Sequence, residues 1–321
     1  MVSNLDSVVL SVVIPCYNEE QNIDDLFTRL ITVLDQLHLT YEIICVDDGS
    51  RDHTLKRLIE YHHSNPMIKV VNFSRNFGKE IALTAGIEYA KGDAVIPIDA
   101  DLQDPPELIQ DLILKWQDGY DVVYCKRRSR QGETWLKQKT AGAFYRIISK
   151  MTPVPIPRDT GDFRLMDRRV VEALKLLPER HRFMKGLFSW VGFKQIAIEY
   201  DRPPRSKGET KWNYWQLWNF ALDGITSFSS LPLKVWSYIG LLISLLAFIY
   251  ATFLILRTLI LGIDVPGYAS IMVVTLFLGG VQLVSLGVIG EYLSRVHDEV
   301  KRRPLYIVRD CYGFEKDTHK N

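Results

Sequence analysis

Cysteine is scarce in this chain: four residues among 321, at positions 16, 45, 125 and 311, with no C-x-x-C pair and no regular spacing. No disulfide framework is indicated. Three of the four lie in or beside apolar, strand-like runs, where cysteine behaves as a small buried hydrophobe, and this usage agrees with a reducing compartment. An excess of either charge is also missing. The formal net charge is +1, so the bulk balance gives no reason to expect a nucleic-acid partner. The opening residues MVSNLDSVVL place no basic region ahead of an apolar stretch, and no signal peptide is expected. Neither G-x-G-x-x-G nor G-x-x-x-x-G-K-[ST] occurs, which sets aside the dinucleotide fingerprint and the P-loop.

What the chain does have is an uneven spread of apolar residues. Residues 235–262 form a nearly continuous apolar run with one charge, Arg257, close to its far end. Residues 268–293 carry no formal charge until Glu291. Both exceed the roughly 20 apolar residues a helix needs to cross a bilayer. Core helices rarely run this long without charge, so two transmembrane helices are expected, with Pro266 and Gly267 suited to the tight connection. Lys234 precedes the first run, Arg295, Lys301, Arg302 and Arg303 follow the second, and the connection has no Lys or Arg. The positive-inside rule then puts both ends, and the large N-terminal region, on the cytoplasmic side of the plasma membrane.

Just ahead of these runs Trp212, Trp215, Trp218 and Phe220 recur at roughly helical spacing. They read as an interfacial helix at headgroup level, or as an aromatic stripe in a core. Neither apolar run carries a charge at mid-depth, as a transporter would, so the pair reads as an anchor. The expected organisation is a cytoplasmic domain over 1–210, an interfacial segment over 211–233, two membrane helices over 234–293 and a tail over 294–321. The tail's RRPLYIVRDCYGF could form a strand that pairs with another subunit, and a homo-oligomer is expected on that ground.

Residues 8 to 127 alternate apolar strand-like runs with amphipathic stretches. After VVLSVVIPCYN, Ile23, Leu26, Leu30, Val33, Leu34 and Leu37 fall on one helical face. YEIICVDD, IKVVNFS, AVIPID and DVVYCKR follow as further strands, separated by three more helical stretches. Such alternation predicts a mostly parallel α/β sheet with helices on both faces, and a ligand at the carboxyl ends of the strands. Those ends carry Asn18 and Glu19, Asp47 and Asp48, Ser74 and Arg75, Asp99 and Asp101, and Lys126, Arg127 and Arg128. Carboxylates and cations together point to a charged, phosphate-bearing ligand with a metal.

In DADLQDPPEL (99–108), Asp104 suits an N-cap, Pro105 the first helical position and Glu107 a capping box. Asp99, Asp101 and Gln103 are left without a structural task. In extended chain they face one side, a partial oxygen shell for Mg²⁺ or Mn²⁺. An EF-hand is ruled out, since Asp104 and Gln110 stand where it needs Gly and Glu.

Six stretches in order, VVIPCYNEE, VDDGSRDHT, SRNFGKEIALTAGI, IDADLQDPPEL, TGDFRLMDRRVV and RSKGETKW, resemble the motifs of family 2 inverting glycosyltransferases with the GT-A fold. Within that family they are similar to the polyisoprenyl-phosphate branch: dolichyl-phosphate mannose synthases and, more closely, bactoprenol (undecaprenyl-phosphate) glucosyltransferases. The resemblance covers nearly the whole chain, including the two apolar runs. It implies a Rossmann-like GT-A domain plus a two-helix membrane hairpin, and metal-dependent transfer of a hexose from a UDP-sugar, glucose first, to a polyprenyl phosphate. GDP-mannose is the alternative donor. It also implies that Pro15, Tyr17, Glu19 and Asp48 line the nucleoside pocket, with Arg75 and Lys79 at its flank. Asp99, Asp101 and Gln103 would bind the metal and diphosphate, Arg128 with Arg127 the lipid phosphate, and Arg205, Lys207 and Lys211 would close over the phosphates. Asp159 and Asp162 are candidates for a base or for orienting sugar hydroxyls, Asp159 first. Two other readings compete: a processive polysaccharide synthase, which would show Q-x-x-R-W and more helices, and a membrane-anchored subunit with a dead site.

Overall fold

A computed structural model describes residues 9–128, 157, 160–201, 231–261 and 267–314. The chain divides into two units, one made of Met1–Ala221 with Pro304–Asn321 and the other of Leu222–Arg303.

Eight strands in the first unit make one sheet: β1 (Leu10–Cys16), β2 (Tyr41–Asp47), β3 (Ile68–Phe73), β4 (Ala94–Pro97), β5 (Val122–Arg127), β6 (Thr160–Asp167), β7 (Gln195–Tyr200) and β8 (Val308–Tyr312). Their order is β7-β5-β6-β4-β1-β2-β3-β8. β4, β1, β2 and β3 are mutually parallel, as are β5 and β7, while β6 runs against both its neighbours and β8 against β3. The mostly parallel sheet expected from the alternation is what forms. Continuous apolar runs produce it because both faces are covered.

On one face, α1 (Ile23–Gln36) buries Ile23, Leu26, Phe27, Leu30 and Leu34, and α4 (Ile109–Gln117) buries Ile109, Leu112 and Ile113. Both contribute to a core with Val12, Ile14, Ile43 and Cys45. α2 (Thr54–Ser64) adds Leu58 to the same core. On the other face α3 (Lys79–Tyr89) lies so close to β1 that a Cβ at Gly86 would sit 2.1 Å from a Val13 methyl. That close approach fixes the position of the α3 N-terminus above the strand ends. α5 (Arg168–Lys175) and α6 (Met184–Trp190) complete this unit. Cys16, Cys45 and Cys125 are buried and free, as their apolar settings imply, and Cys311 is exposed and free.

The expected helix start after DADLQ needs correction. The helix after DADLQ is not opened by an Asp104 capping box. Pro105 is held extended by Pro106 behind it, a 3₁₀ turn spans Pro106–Leu108, and α4 follows. Asp104 is 1% exposed and accepts the Tyr200 hydroxyl at 2.8 Å, while Glu107 pairs with Arg29 of α1 at 2.8 Å. The tail strand exists, but its partner is β3 of the same chain. Phe73 stacks on Tyr306 at 4.9 Å, the Ser74 amide donates to the Ile307 carbonyl, and the Tyr306 hydroxyl donates to Glu88. β8 is the outermost strand in the sheet order, with one side on β3.

In the second unit, α7 (Leu231–Leu261) and α8 (Tyr268–Lys301) are continuous helices of 31 and 34 residues. α8 continues as helix past residue 293. Among the described residues, Val273–Lys301 is long and apolar enough to cross a membrane, and Tyr238–Tyr250 is a shorter apolar stretch. Large apolar side chains stand exposed along both helices, including Leu241, Phe248, Ile271 and Leu283. The expected interfacial segment lies outside the described residues up to residue 230.

Candidate active site

The loops leaving β1, β2 and β3 are stitched together by bonds between side chains and backbone. The Asn18 amide donates to Ser50 Oγ at 3.0 Å, and the Arg51 amide to Asn18 Oδ1 at 2.8 Å. The Glu19 amide donates to Thr54 Oγ1 at 2.8 Å. Gly49, at φ +66°, brings the β2 loop against the backbone of Arg75 and Asn76. Asp48, 2% exposed, accepts the amides of Phe77 at 2.6 Å and Gly78 at 2.9 Å. Burial pushes its carboxyl up to about 6, although both amides favour the charged form.

Pro15, Tyr17, Glu19, Asp48 and Arg75 lie at or just beyond the carboxyl ends of β1, β2 and β3. The Asp48 carboxylate is taken up by the loop that precedes Lys79. Arg75 lies over the Phe77 ring at 3.9 Å. Beside these loops is a cleft of about 290 Å³ lined by Asp47, Asn72, Arg75 and, from β8, Arg309.

Lys79, the first residue of α3, reaches two other strand ends. Its Nζ lies 2.7 and 2.9 Å from the two carboxylate oxygens of Asp99 and 2.7 Å from Oδ2 of Asp162 on β6. Burial disfavours charge on Asp162, but Lys79 and Lys185 outweigh it and hold the carboxyl well below the ordinary carboxylate range. Burial likewise opposes charge on Lys79, and Asp162 with Asp99 raises its amine well above the usual lysine value. Among the described residues, Oδ1 of Asp162 is buried without a hydrogen-bond partner. Arg164, two residues on along β6, stacks on Phe188 at 4.0 Å and donates to the Gly161 carbonyl. On the far side of Lys79, Glu80 accepts the Met184 amide at 3.1 Å, and burial with the Asp162 charge lifts its carboxyl to about 7.

The expected metal ligands do not lie along an extended strand. β4 ends at Pro97, and the chain turns through residues 100–102 with Leu102 at φ +59°. The Leu102 side chain, 4% exposed in the core, holds that uncommon conformation in place. The Gln103 amide donates to Asp101 Oδ1 at 3.1 Å within the turn. Alternation therefore does not align residues 99, 101 and 103. Among the described residues no group of three His, Cys, Asp or Glu side chains is arranged to hold a metal. The donor set still fits a hard divalent ion that takes its remaining ligands from a diphosphate. Asp99 and Asp101 share one turn, and an ammonium already sits on both oxygens of Asp99.

At the end of β5, Arg128 pairs with Asp201 at 3.4 Å, both largely exposed, and Arg127 Nε is buried without a hydrogen-bond partner among the described residues. Asp159, Arg205, Lys207 and Lys211 lie outside the described residues. Sequence reasoning passed over Arg164, Lys185 and Glu80. Period-two alternation along β6 puts Arg164 on the face of Asp162 and could have found it. Lys185 arrives from α6 with no local signal.

Comparison with known proteins follows the same division of the chain. The glycosyl transferase family 2 model matches residues 11–175, and the GtrB C-terminal hairpin model matches residues 231–296. The chain is 68% identical over 309 residues to an uncharacterized glycosyltransferase of Synechocystis sp., covering 96% of this chain and 97% of that one. It is 50% identical to the uncharacterized glycosyltransferase YkcC of Bacillus subtilis, covering 95% and 94%. It is 49% identical to the prophage bactoprenol glucosyl transferase homolog of Escherichia coli, covering 94% and 98%. With a mostly parallel sheet whose strand ends hold the carboxylates, and with relatives matched nearly end to end, the chain belongs to glycosyltransferase family 2, a GT-A-type enzyme with a GtrB C-terminal hairpin.

Proposed function

We propose that this enzyme transfers glucose from UDP-glucose to the phosphate of a polyprenyl (undecaprenyl) phosphate, with inversion at the anomeric carbon and with Mg²⁺ or Mn²⁺. The observation that carries the reading is the span of its likeness to bactoprenol glucosyl transferases. The one from Shigella phage SfII is 49% identical over 94% of this chain, so the match includes the hairpin as well as the catalytic domain. A membrane setting is supported by the apolar side chains exposed along α7 and α8, a surface that water does not tolerate at this extent. The flanking basic residues favour both termini and the catalytic unit on the cytoplasmic side.

In this mechanism an oxygen of the acceptor phosphate attacks the anomeric carbon. The bond to the nucleoside diphosphate breaks, and its electron pair leaves with the diphosphate. Asp99 and Asp101, with Gln103 beside them, would hold the ion, which supplies Lewis-acid stabilisation of the leaving diphosphate. Lys79 adds positive charge at this edge; Arg205, Lys207 and Lys211 would close over the phosphates, and Arg127 and Arg128 would receive the lipid phosphate. Asp162, held well below the carboxylate range by its lysines, is a poor proton acceptor and is better suited to orient sugar hydroxyls. A phosphate monoester with a second pKa near 6 is already largely anionic at neutral pH, so the attack needs no strong base. Asp159 shares the orienting role.

The test is transfer of radiolabel from UDP-glucose, other UDP-hexoses and GDP-mannose to undecaprenyl phosphate in detergent, with and without Mn²⁺ and EDTA. Chloroform-extractable label from UDP-glucose is expected, lost with EDTA. Label from GDP-mannose alone would replace the donor assignment, and no label from any donor would overturn the enzymatic reading.

A further inference from the structure

Lys79 is held between two carboxylates, Asp99 and Asp162. A lysine ammonium has three N–H donors; hydrogen bonds to Oδ2 of Asp99 at 2.9 Å and Oδ2 of Asp162 at 2.7 Å take two of them, and Nζ also lies 2.7 Å from Oδ1 of Asp99. Neither oxygen of Asp99 lies more than 2.9 Å from the ammonium. Nor is room left on Asp99 for a divalent ion, which binds a carboxylate oxygen at about 2.0–2.3 Å and would be repelled by an ammonium on the same group.

The two carboxylates differ in how they can let go. Asp162 has a side chain 9% exposed, is flanked by Lys185 and Arg164, and holds Lys79 from inside the fold. The Asp99 side chain is 22% exposed and that of Lys79 is 42% exposed, so solvent and ions reach this half of the bridge.

We propose that Lys79 is a built-in counter-cation. It occupies Asp99 when no divalent ion is bound. When the ion and the donor diphosphate arrive, it yields Asp99 to the ion and turns its freed N–H groups to the diphosphate, with Asp162 as the fixed end. The inference rests on the metal reading above and adds a competition to it. The metal site is then neutralised in the empty enzyme, and ion and donor bind as a cooperative pair, because the diphosphate gives Lys79 a new partner.

The test is Mn²⁺ binding followed by electron paramagnetic resonance on the full chain in detergent, with and without UDP, for wild type, K79Q, K79R and D99N. Gln keeps a hydrogen-bond donor near the length of Lys but removes the charge, whereas Arg keeps the charge. Without UDP, K79Q is expected to bind Mn²⁺ on the order of tenfold more tightly than wild type, with K79R close to wild type. UDP should tighten Mn²⁺ binding less in K79Q than in wild type. Should K79Q fail to fold, Lys79→Met supplies a second neutral side chain for the same comparison. Equal or weaker Mn²⁺ binding in the neutral variant, with D99N abolishing it, would overturn the competition and leave the metal reading standing. Equal Mn²⁺ binding in wild type and D99N would overturn both.

Discussion

Replacing Gly49 with alanine puts a methyl group where the neighbouring loop already runs. A Cβ there lies 2.5 Å from the carbonyl carbon of Arg75 and 2.7 Å from the amide nitrogen of Asn76. Both are backbone atoms, so no side chain can swing aside. The conformation at φ +66° costs a non-glycine residue about 1–2 kcal/mol, and forcing extra volume against packed backbone costs about 1–3 kcal/mol more. The sum, roughly 2–5 kcal/mol, lowers Tm by on the order of 5–15 °C in a domain of this size.

The damage extends to the site. The loop that must move carries the Phe77 and Gly78 amides bound to Asp48, and Lys79 follows directly. Scanning fluorimetry of the purified full chain, with calorimetric titration of UDP, reads both effects, and weaker UDP binding should accompany the lower Tm. A Tm within about 2 °C of wild type together with unchanged UDP affinity would refute the packing of these two loops.

Glu42 is 1% exposed and accepts Ser11 Oγ at 2.6 Å, the Lys91 amide at 2.7 Å and Lys69 Nζ at 2.7 Å. Glu42→Ala leaves Lys69 without its carboxylate and should cost about 3–5 kcal/mol in denaturant unfolding; a loss below about 1 kcal/mol would contradict a paired buried charge. Burial raises the Glu42 carboxyl, but Lys69, Ser11 and Lys91 outweigh it and leave it lowered from 4.5. Its stabilisation is therefore complete above 4.5 and fades as pH falls through the folded value, so the acid limb of Tm should flatten in Glu42→Gln. Glu80 has the opposite sign. Raised from 4.5 to about 7, it favours folding below 4.5 and loses that contribution as pH rises toward 7. The Tm gain of Glu80→Gln over wild type should then be larger at pH 8 than at pH 5, and an equal gap at both would refute the buried carboxyl. Asp101→Ala should cut glucosyl transfer by on the order of 10²–10³ with Tm retained. Near-normal transfer with unchanged Mn²⁺ dependence would remove Asp101 from the ion.

Local pattern was enough to order the strands and helices along residues 10–127, because a buried parallel strand and an amphipathic helix each carry their period in consecutive residues. It also showed which strand ends bear carboxylates and cations. Asp104 shows where such reading stops. Its neighbours spell an N-cap, but its partner is Tyr200, 96 residues away, and no short window contains that choice. Asp99 to Gln103 fails for a related reason: alternation assumes extended backbone, and the burial of Leu102 in the core imposes a turn instead.

By itself, the sequence determined the alternating α/β layout, the two long apolar helices and the identity of the charged residues at the sheet's carboxyl edge. Only the tertiary structure decided how those residues are paired. It joined Lys79 to an aspartate 20 residues on and another 83 residues on, and it returned the tail strand, which follows the two long helices in sequence, to β3. Periodicity records what a residue buries, because burial is set by its neighbours in the chain. Which charge meets which is set by the crossing of distant strands, and that becomes visible only once the sheet has closed.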